Sequence, residues 1–129
     1  MNQWESRYQP PDPLLWHGRT DIPHDSCFYQ RMRLLNLLKE SPVQSAPITF
    51  AIIGFKCDEG VQRDQGRTGA FEGPTAIRQR LAKLPIQKSN IDCYDVGDIV
   101  CSDHDLEASQ AALAEVIARL LMAKVRPIV

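Results

Sequence analysis

Apolar positions first take a regular spacing at Phe28, Met32, Leu35 and Leu38, with Leu34 alongside. That is the repeat of one helix face and predicts an amphipathic helix capped by Asp25 or Ser26. Ser41-Pro42 ends it, because the residue before a proline is pushed out of helical geometry. Upstream, residues 1–26 hold four of the nine prolines with no helical or alternating period, and read as an irregular arm. The run from Ile48 to Phe55 is apolar and rich in β-branched residues, which suits a strand covered on both faces. A loop of 17 residues, Cys57 to Gly73, separates it from a helix opening at Pro74, with Ile77, Leu81 and Leu84 on one face. Ile91 to Asp95 reads as a second strand. A long helix starts at Asp103 or His104 and turns Leu106, Leu113, Val116, Ile117, Leu120 and Leu121 inward. Arg126 to Val129 reads as the opening of a third strand. The order β-α-β-α-β implies right-handed crossovers and a parallel-sheet α/β/α layer structure, interrupted after the start of its third strand.

Chemistry concentrates in the long loop, since ligands of open α/β sheets bind at the carboxyl ends of strands and long loops are usually functional. Its four glycines permit close backbone approach, and Arg63 and Arg67 offer forks suited to carboxylate or phosphate. The competing reading pairs these arginines internally with Asp58, Glu59 or Asp64. A nucleotide loop is disfavoured: Gly60 and Gly66 are separated by five residues rather than four, Arg67 replaces the lysine, and no GxGxxG occurs. The first turn of the Pro74 helix offers the N–H groups of Thr75 and Ala76 to an anion, unless Glu72 caps it. Asp95, Asp98, Asp103, His104 and Asp105 resemble a divalent-metal cluster, but a Gly turn and helix caps explain them better. Cys57 lacks a neighbouring base, Cys93 reads as core, and His17 and His24 lie in the arm.

Composition narrows the partners. Lys+Arg 15 against Asp+Glu 16 gives a net charge of −1, which disfavours nucleic acid and anionic lipid. The N-terminus lacks a secretory pattern and no apolar run reaches a membrane span, so a cytoplasmic chain is expected. The four cysteines match no zinc spacing and read as reduced thiols.

Several segments together resemble the formimidoylglutamases of the arginase/agmatinase ureohydrolase family. Leu15-Trp16-His17-Gly18-Arg19-Thr20-Asp21 is similar to their W-x-G-R-x-D opening. Gly54-Phe55-Lys56-Cys57-Asp58-Glu59-Gly60-Val61 resembles their G-F-x-C-D-E-G-V loop, and Gly73-Pro74-Thr75-Ala76-Ile77-Arg78 their G-P-x-A-I-R helix start. Asp95-Val96-Gly97-Asp98 resembles their D-x-G-D segment. Asp64 departs from the pattern, standing where the family is expected to carry a neutral amide.

The resemblance implies hydrolysis of N-formimino-L-glutamate to L-glutamate and formamide, a step of histidine degradation, by hydroxide on two Mn²⁺ ions. It also implies residues 1–26 as the arm and 27–129 as a partial ureohydrolase α/β domain. The family's metal ligands lie in G-G-G-H-E, D-A-H-x-D and D-x-D-x-x-D motifs, none of which occurs in these 129 residues. The isolated chain is therefore expected to bind no Mn²⁺ and to be inactive, with no catalytic or metal residue of its own. Arg63 and Arg67 are its expected substrate-binding residues, and its open sheet edge is expected to drive self-association. The alternative function is a free-standing, non-catalytic α/β domain binding a small anion or a partner chain.

Overall fold

The computed structural model describes residues 3–87 and 90–129. Strand β3, Ile48–Lys56, pairs in parallel with β4, Ile91–Val100, on one side and with β5, Arg126–Ile128, on the other. Helix α3, Gly73–Leu81, leads from β3 to β4, and α4, Leu106–Met122, crosses back to β5. The two crossovers run in opposite directions, so right-handedness puts α3 and α4 on opposite faces of the sheet. This is the expected parallel-sheet α/β layer structure, a mostly parallel sheet of five strands with flanking helices.

The α4 face holds the core. Ala51 and Ile53 of β3 meet Val96 and Ile99 of β4, with Ala112, Val116, Leu120 and Val125 above them. Leu113 and Ile117 pack at its margin, whereas Leu121 is exposed. Among the described residues no helix is long and apolar enough to cross a membrane.

Three sequence expectations give way to tertiary pairing. The helix expected across 28–38 is one turn, α1, Phe28–Arg31; the chain then extends into β2, Arg33–Leu34, parallel to β4. The Leu35 N–H donates to the carbonyl of Asp95 at 3.0 Å, so sheet bonds replace the helical ones. The cap also differs: Gln30 Oε1 accepts from the N–H groups of Ser26 and Cys27, at 2.8 and 2.9 Å.

The arm, in turn, is not irregular throughout. Its β1, Tyr8–Gln9, pairs antiparallel with the outer end of β4. Trp4 and Tyr8 are core residues, edge to face with centroids 5.4 Å apart.

Finally, β4 does not stop at Asp95. Ile52 pairs with Asp95 and Gly54 with Asp98, so β4 carries one extra residue opposite β3. Gly97 sits in this bulge at φ +91°, a conformation open to glycine. Residues three apart in a regular strand face opposite ways; the extra residue turns both Asp95 and Asp98 toward α3.

The Tyr8 hydroxyl donates to the Val96 carbonyl and accepts the Leu37 N–H at 3.1 Å. Burial raises its pKa to about 12, against the smaller opposing effect of the Leu37 bond. A folded-state value above the unfolded one means stability is intact below pH 10 and falls between pH 10 and 12. The loss is on the order of 2 kcal/mol. Tyr8→Phe should flatten that alkaline limb in urea titrations at stepped pH; an unchanged slope would refute the assignment.

Candidate functional site

β3 is the strand from which the chain first leaves in one direction and later returns on the other side, through β4 to β5. The crevice between such strands, at their carboxyl ends, is where open α/β sheets place ligands. Loop 57–73 stands at this edge. It is more structured than expected: α2, Glu59–Arg63, forms its first half, and a 3₁₀ turn at Ala70–Glu72 leads into α3. Asp58 ties the halves together, one carboxylate oxygen accepting the N–H groups of Gly69 and Phe71, both at 3.0 Å. Gly69 takes φ +143°, which lets the strap turn back toward the helix.

The two loop arginines differ. Arg63 donates from Nε to Glu59 at 3.1 Å and from both terminal nitrogens to Glu107 of α4, with a further bond to the His104 carbonyl. His104 Nδ1 lies 2.9 Å from the other Glu59 oxygen. His104 and then Arg63 lower the pKa of Glu59; Glu107 and then Glu59 raise that of Arg63. Internal pairing thus engages Arg63, with Glu107 as a partner that sequence proximity did not offer. Arg67 is exposed and makes no ion pair among the described residues. Lys56, at the end of β3, lies over the Phe71 ring, 5.1 Å from its centroid. Lys56 and Phe71 line a polar cleft of about 660 Å³ with Arg7 and Ser102.

The acidic segment disperses. Asp103 takes a two-pronged bond from Arg7 at 2.8 and 2.7 Å, which lowers its pKa to about 2. Asp105 caps α4, accepting the Ala108 N–H at 3.0 Å. Asp95 and Asp98, expected to bracket a turn, are buried in the sheet on either side of the bulge and bind Arg78. Arg78 Nη1 donates to Asp98 at 2.7 Å, and Nη2 donates to Asp95 at 3.0 Å and to the Gly97 carbonyl at 2.8 Å. Burial works to lower the Arg78 pKa, but the two carboxylates outweigh it and hold the guanidinium charged. Trp16 completes the cluster, its indole N–H donating to the second Asp95 oxygen at 2.8 Å. Sequence reasoning missed Arg78 because it faced Ile77, Leu81 and Leu84 inward. Ile77 is in fact 64% exposed and Arg78 1%.

The remaining candidates play local parts. Cys57 and Cys101 are buried at the neighbouring ends of β3 and β4; Cys93 is half-buried, and burial raises its thiol pKa. Glu72 occupies the N-cap of α3 without a side-chain bond to the first turn. His17 and His24 are exposed. Among the described residues no group of three or more His, Cys, Asp or Glu is arranged to hold a metal ion. Asp95 and Asp98, buried together, are neutralised by Arg78, so the described residues do not fit a binuclear metal centre.

Comparison with known proteins places this geometry. The family model described as the arginase family matches residues 48–129, from β3 through β5. A formimidoylglutamase of Geobacillus thermodenitrificans is 48% identical over 126 residues, covering 95% of this chain and 38% of that protein. One from Geobacillus kaustophilus is 47% identical over 119 residues, covering 88% and 36%. One from Chromobacterium violaceum is 40% identical over 118 residues, covering 92% and 37%. The chain thus spans a little over a third of the length of these relatives.

Proposed function

The chain belongs to the arginase family, and from that premise we propose that the complete enzyme hydrolyses N-formimino-L-glutamate to L-glutamate and formamide, a step of histidine degradation. The observation that carries this reading is the 48% identity to a formimidoylglutamase, extending over 95% of the chain and through loop 57–73. Two Mn²⁺ ions belong to the proposal for the complete enzyme. To this chain we assign a scaffold and substrate-binding part, and taken alone it is expected to release no formamide.

The substrate carries two carboxylates, and planar guanidinium forks bind carboxylates in two-pronged fashion. We assign them to Arg67 and Arg63. Arg67 is the loop cation without an ion pair among the described residues. Arg63 exchanges its solvent-exposed bond to Glu107 for a substrate carboxylate, a trade that costs little because water already screens the exposed pair.

A hydrogen bond to a charged group is worth about 1.5–3 kcal/mol, so Arg67→Ala should lower kcat/KM in the complete enzyme roughly 10- to 150-fold. The loss should appear mainly in KM. Arg63→Ala should act in the same direction, and unchanged kinetics in both variants would overturn the assignment.

A further inference from the structure

The four cysteines are free, and the strand register brings two of them together. Lys56 and Val100 are the last partners of the parallel β3–β4 ladder, and the Cys101 N–H donates to the Lys56 carbonyl at 3.0 Å. Cys57 and Cys101 are the next residues along each chain, so they leave the sheet side by side. Neighbouring strands lie about 4.7–4.9 Å apart, within the roughly 4.4–6.8 Å between Cα atoms that a disulfide spans. Both residues are buried, and the Cys57 thiol is a hydrogen-bonding neighbour of Cys101. The other two cysteines have no such partner: Cys93 stands opposite Phe50 and Cys27 opposite Pro85. Cys101 also lines a cavity of about 150 Å³ with Phe71, Ser102 and His104. A water molecule takes about 30 Å³, so hydrogen peroxide has room beside the Cys101 sulfur.

We propose that Cys57 and Cys101 form a reversible disulfide site that takes hydrogen peroxide as its oxidant and ties the root of loop 57–73 to the segment leading into α4. The Cys101 thiolate attacks one peroxide oxygen; the O–O bond breaks, and hydroxide leaves and takes up the thiol proton as water. The Cys57 sulfur then attacks the sulfenic sulfur of Cys101, the S–O bond breaks, and a second water departs with the Cys57 proton. Two electrons pass from the two sulfurs to the peroxide, and a dithiol reductant restores them. Burial raises the Cys101 pKa, against the Ser109 hydroxyl and with the help of Cys57. The thiol form therefore predominates at neutral pH, and the bond forms under peroxide excess rather than in ordinary handling. The link stands one residue before Asp58, whose carboxylate joins the two halves of the loop. It adds a covalent anchor there and restricts the local opening that a protease needs. The inference is independent of the hydrolase activity proposed above.

The test treats the complete enzyme containing this chain with excess hydrogen peroxide, alkylates the remaining thiols and maps tryptic peptides by mass spectrometry. Peptide 57–63 should appear joined to peptide 89–119 with the loss of two hydrogens and with Cys93 alkylated, and dithiothreitol should separate the two. Under native conditions, tryptic cleavage after Arg67 should slow severalfold on oxidation and recover on reduction. Cys57→Ser and Cys101→Ser should each abolish the link and the protection, whereas Cys93→Ser should leave both. The peptide map of the parent protein decides the matter even where a serine variant folds poorly. Full alkylation of Cys57 and Cys101 after peroxide would overturn the proposal, as would a link from either to another cysteine or arrest of Cys101 as the sulfinic acid. A link that leaves cleavage after Arg67 unchanged would overturn its hold on the loop.

Discussion

Arg78→Met should destabilise the fold by about 3–5 kcal/mol, the usual cost of removing one partner from a buried ion pair. Arg78 and Asp95 are 1% and 0% exposed, and Asp98 8%. Methionine fills much of the same volume but leaves two carboxylates without their cation. Asp95 would keep the Trp16 indole and the Gly97 N–H, whereas Asp98 would lose the one side-chain partner it has among the described residues. Urea unfolding at neutral pH measures the loss. The triple variant Arg78→Met, Asp95→Asn, Asp98→Asn should recover a large part, because neutral amides cost less to bury than unpaired charges. A loss below about 1 kcal/mol in Arg78→Met, the range of exposed pairs, would show that the cluster is solvated rather than buried.

Gly97→Ala should be comparably severe and act on a different part of the molecule. A Cβ there would stand 2.2 Å from the Gln9 carbonyl oxygen and 3.0 and 3.1 Å from backbone atoms of Pro10 and Pro11, with φ at +91°. Backbone on that side cannot rotate away, so either β4 flattens its bulge or the arm leaves the sheet. The first separates Asp98 from Arg78. The second exposes Trp4 and Tyr8, at about 1.5–3 kcal/mol for each large buried side chain, added to about 1–3 kcal/mol of backbone strain. Arg7 is tied to Asp103 and to Ser109 of α4, at 2.8 and 2.9 Å. Release of the arm should therefore speed tryptic cleavage after Arg7 severalfold under native conditions. Parent-like stability and cleavage would mean that β1 does not pack on β4 as described.

Much of the fold was legible because one property decided each element. Ile48–Phe55 is apolar and β-branched throughout, and only a sheet interior satisfies it. The α4 stripe of Val116 and Leu120, with Leu113 and Ile117 at its margin, repeats at helical spacing, although the start expected at Asp103 or His104 falls at the N-cap Asp105. What stayed hidden depended on partners distant in sequence. Met32 to Leu35 carries a helical pattern, yet β4 sixty residues on offers the hydrogen bonds that extend it. Tyr8 and Trp4 sit among prolines and polar residues, and their burial is decided by Val96 and Arg119.

The candidate site divides the same way. Loop 57–73 was legible from its length, glycines and place after a strand. Pairing of Arg63 with Glu107, 44 residues away, was not. Asp95-Val96-Gly97-Asp98 did carry a signal for the buried cluster. A glycine between carboxylates three apart is what a strand bulge needs to turn both to one face, and an arginine-bearing helix precedes it.

Product analysis on the complete enzyme, with this chain as its N-terminal portion, is the most direct test of the function assigned here. N-formimino-L-glutamate, L-arginine and agmatine are supplied at equal concentration with Mn²⁺. Formamide should appear in step with L-glutamate at the highest kcat/KM of the three, and Arg67→Ala should reduce that preference for the dicarboxylate. Urea release from arginine or agmatine at a higher kcat/KM, or a preference that Arg67→Ala leaves untouched, would contradict it.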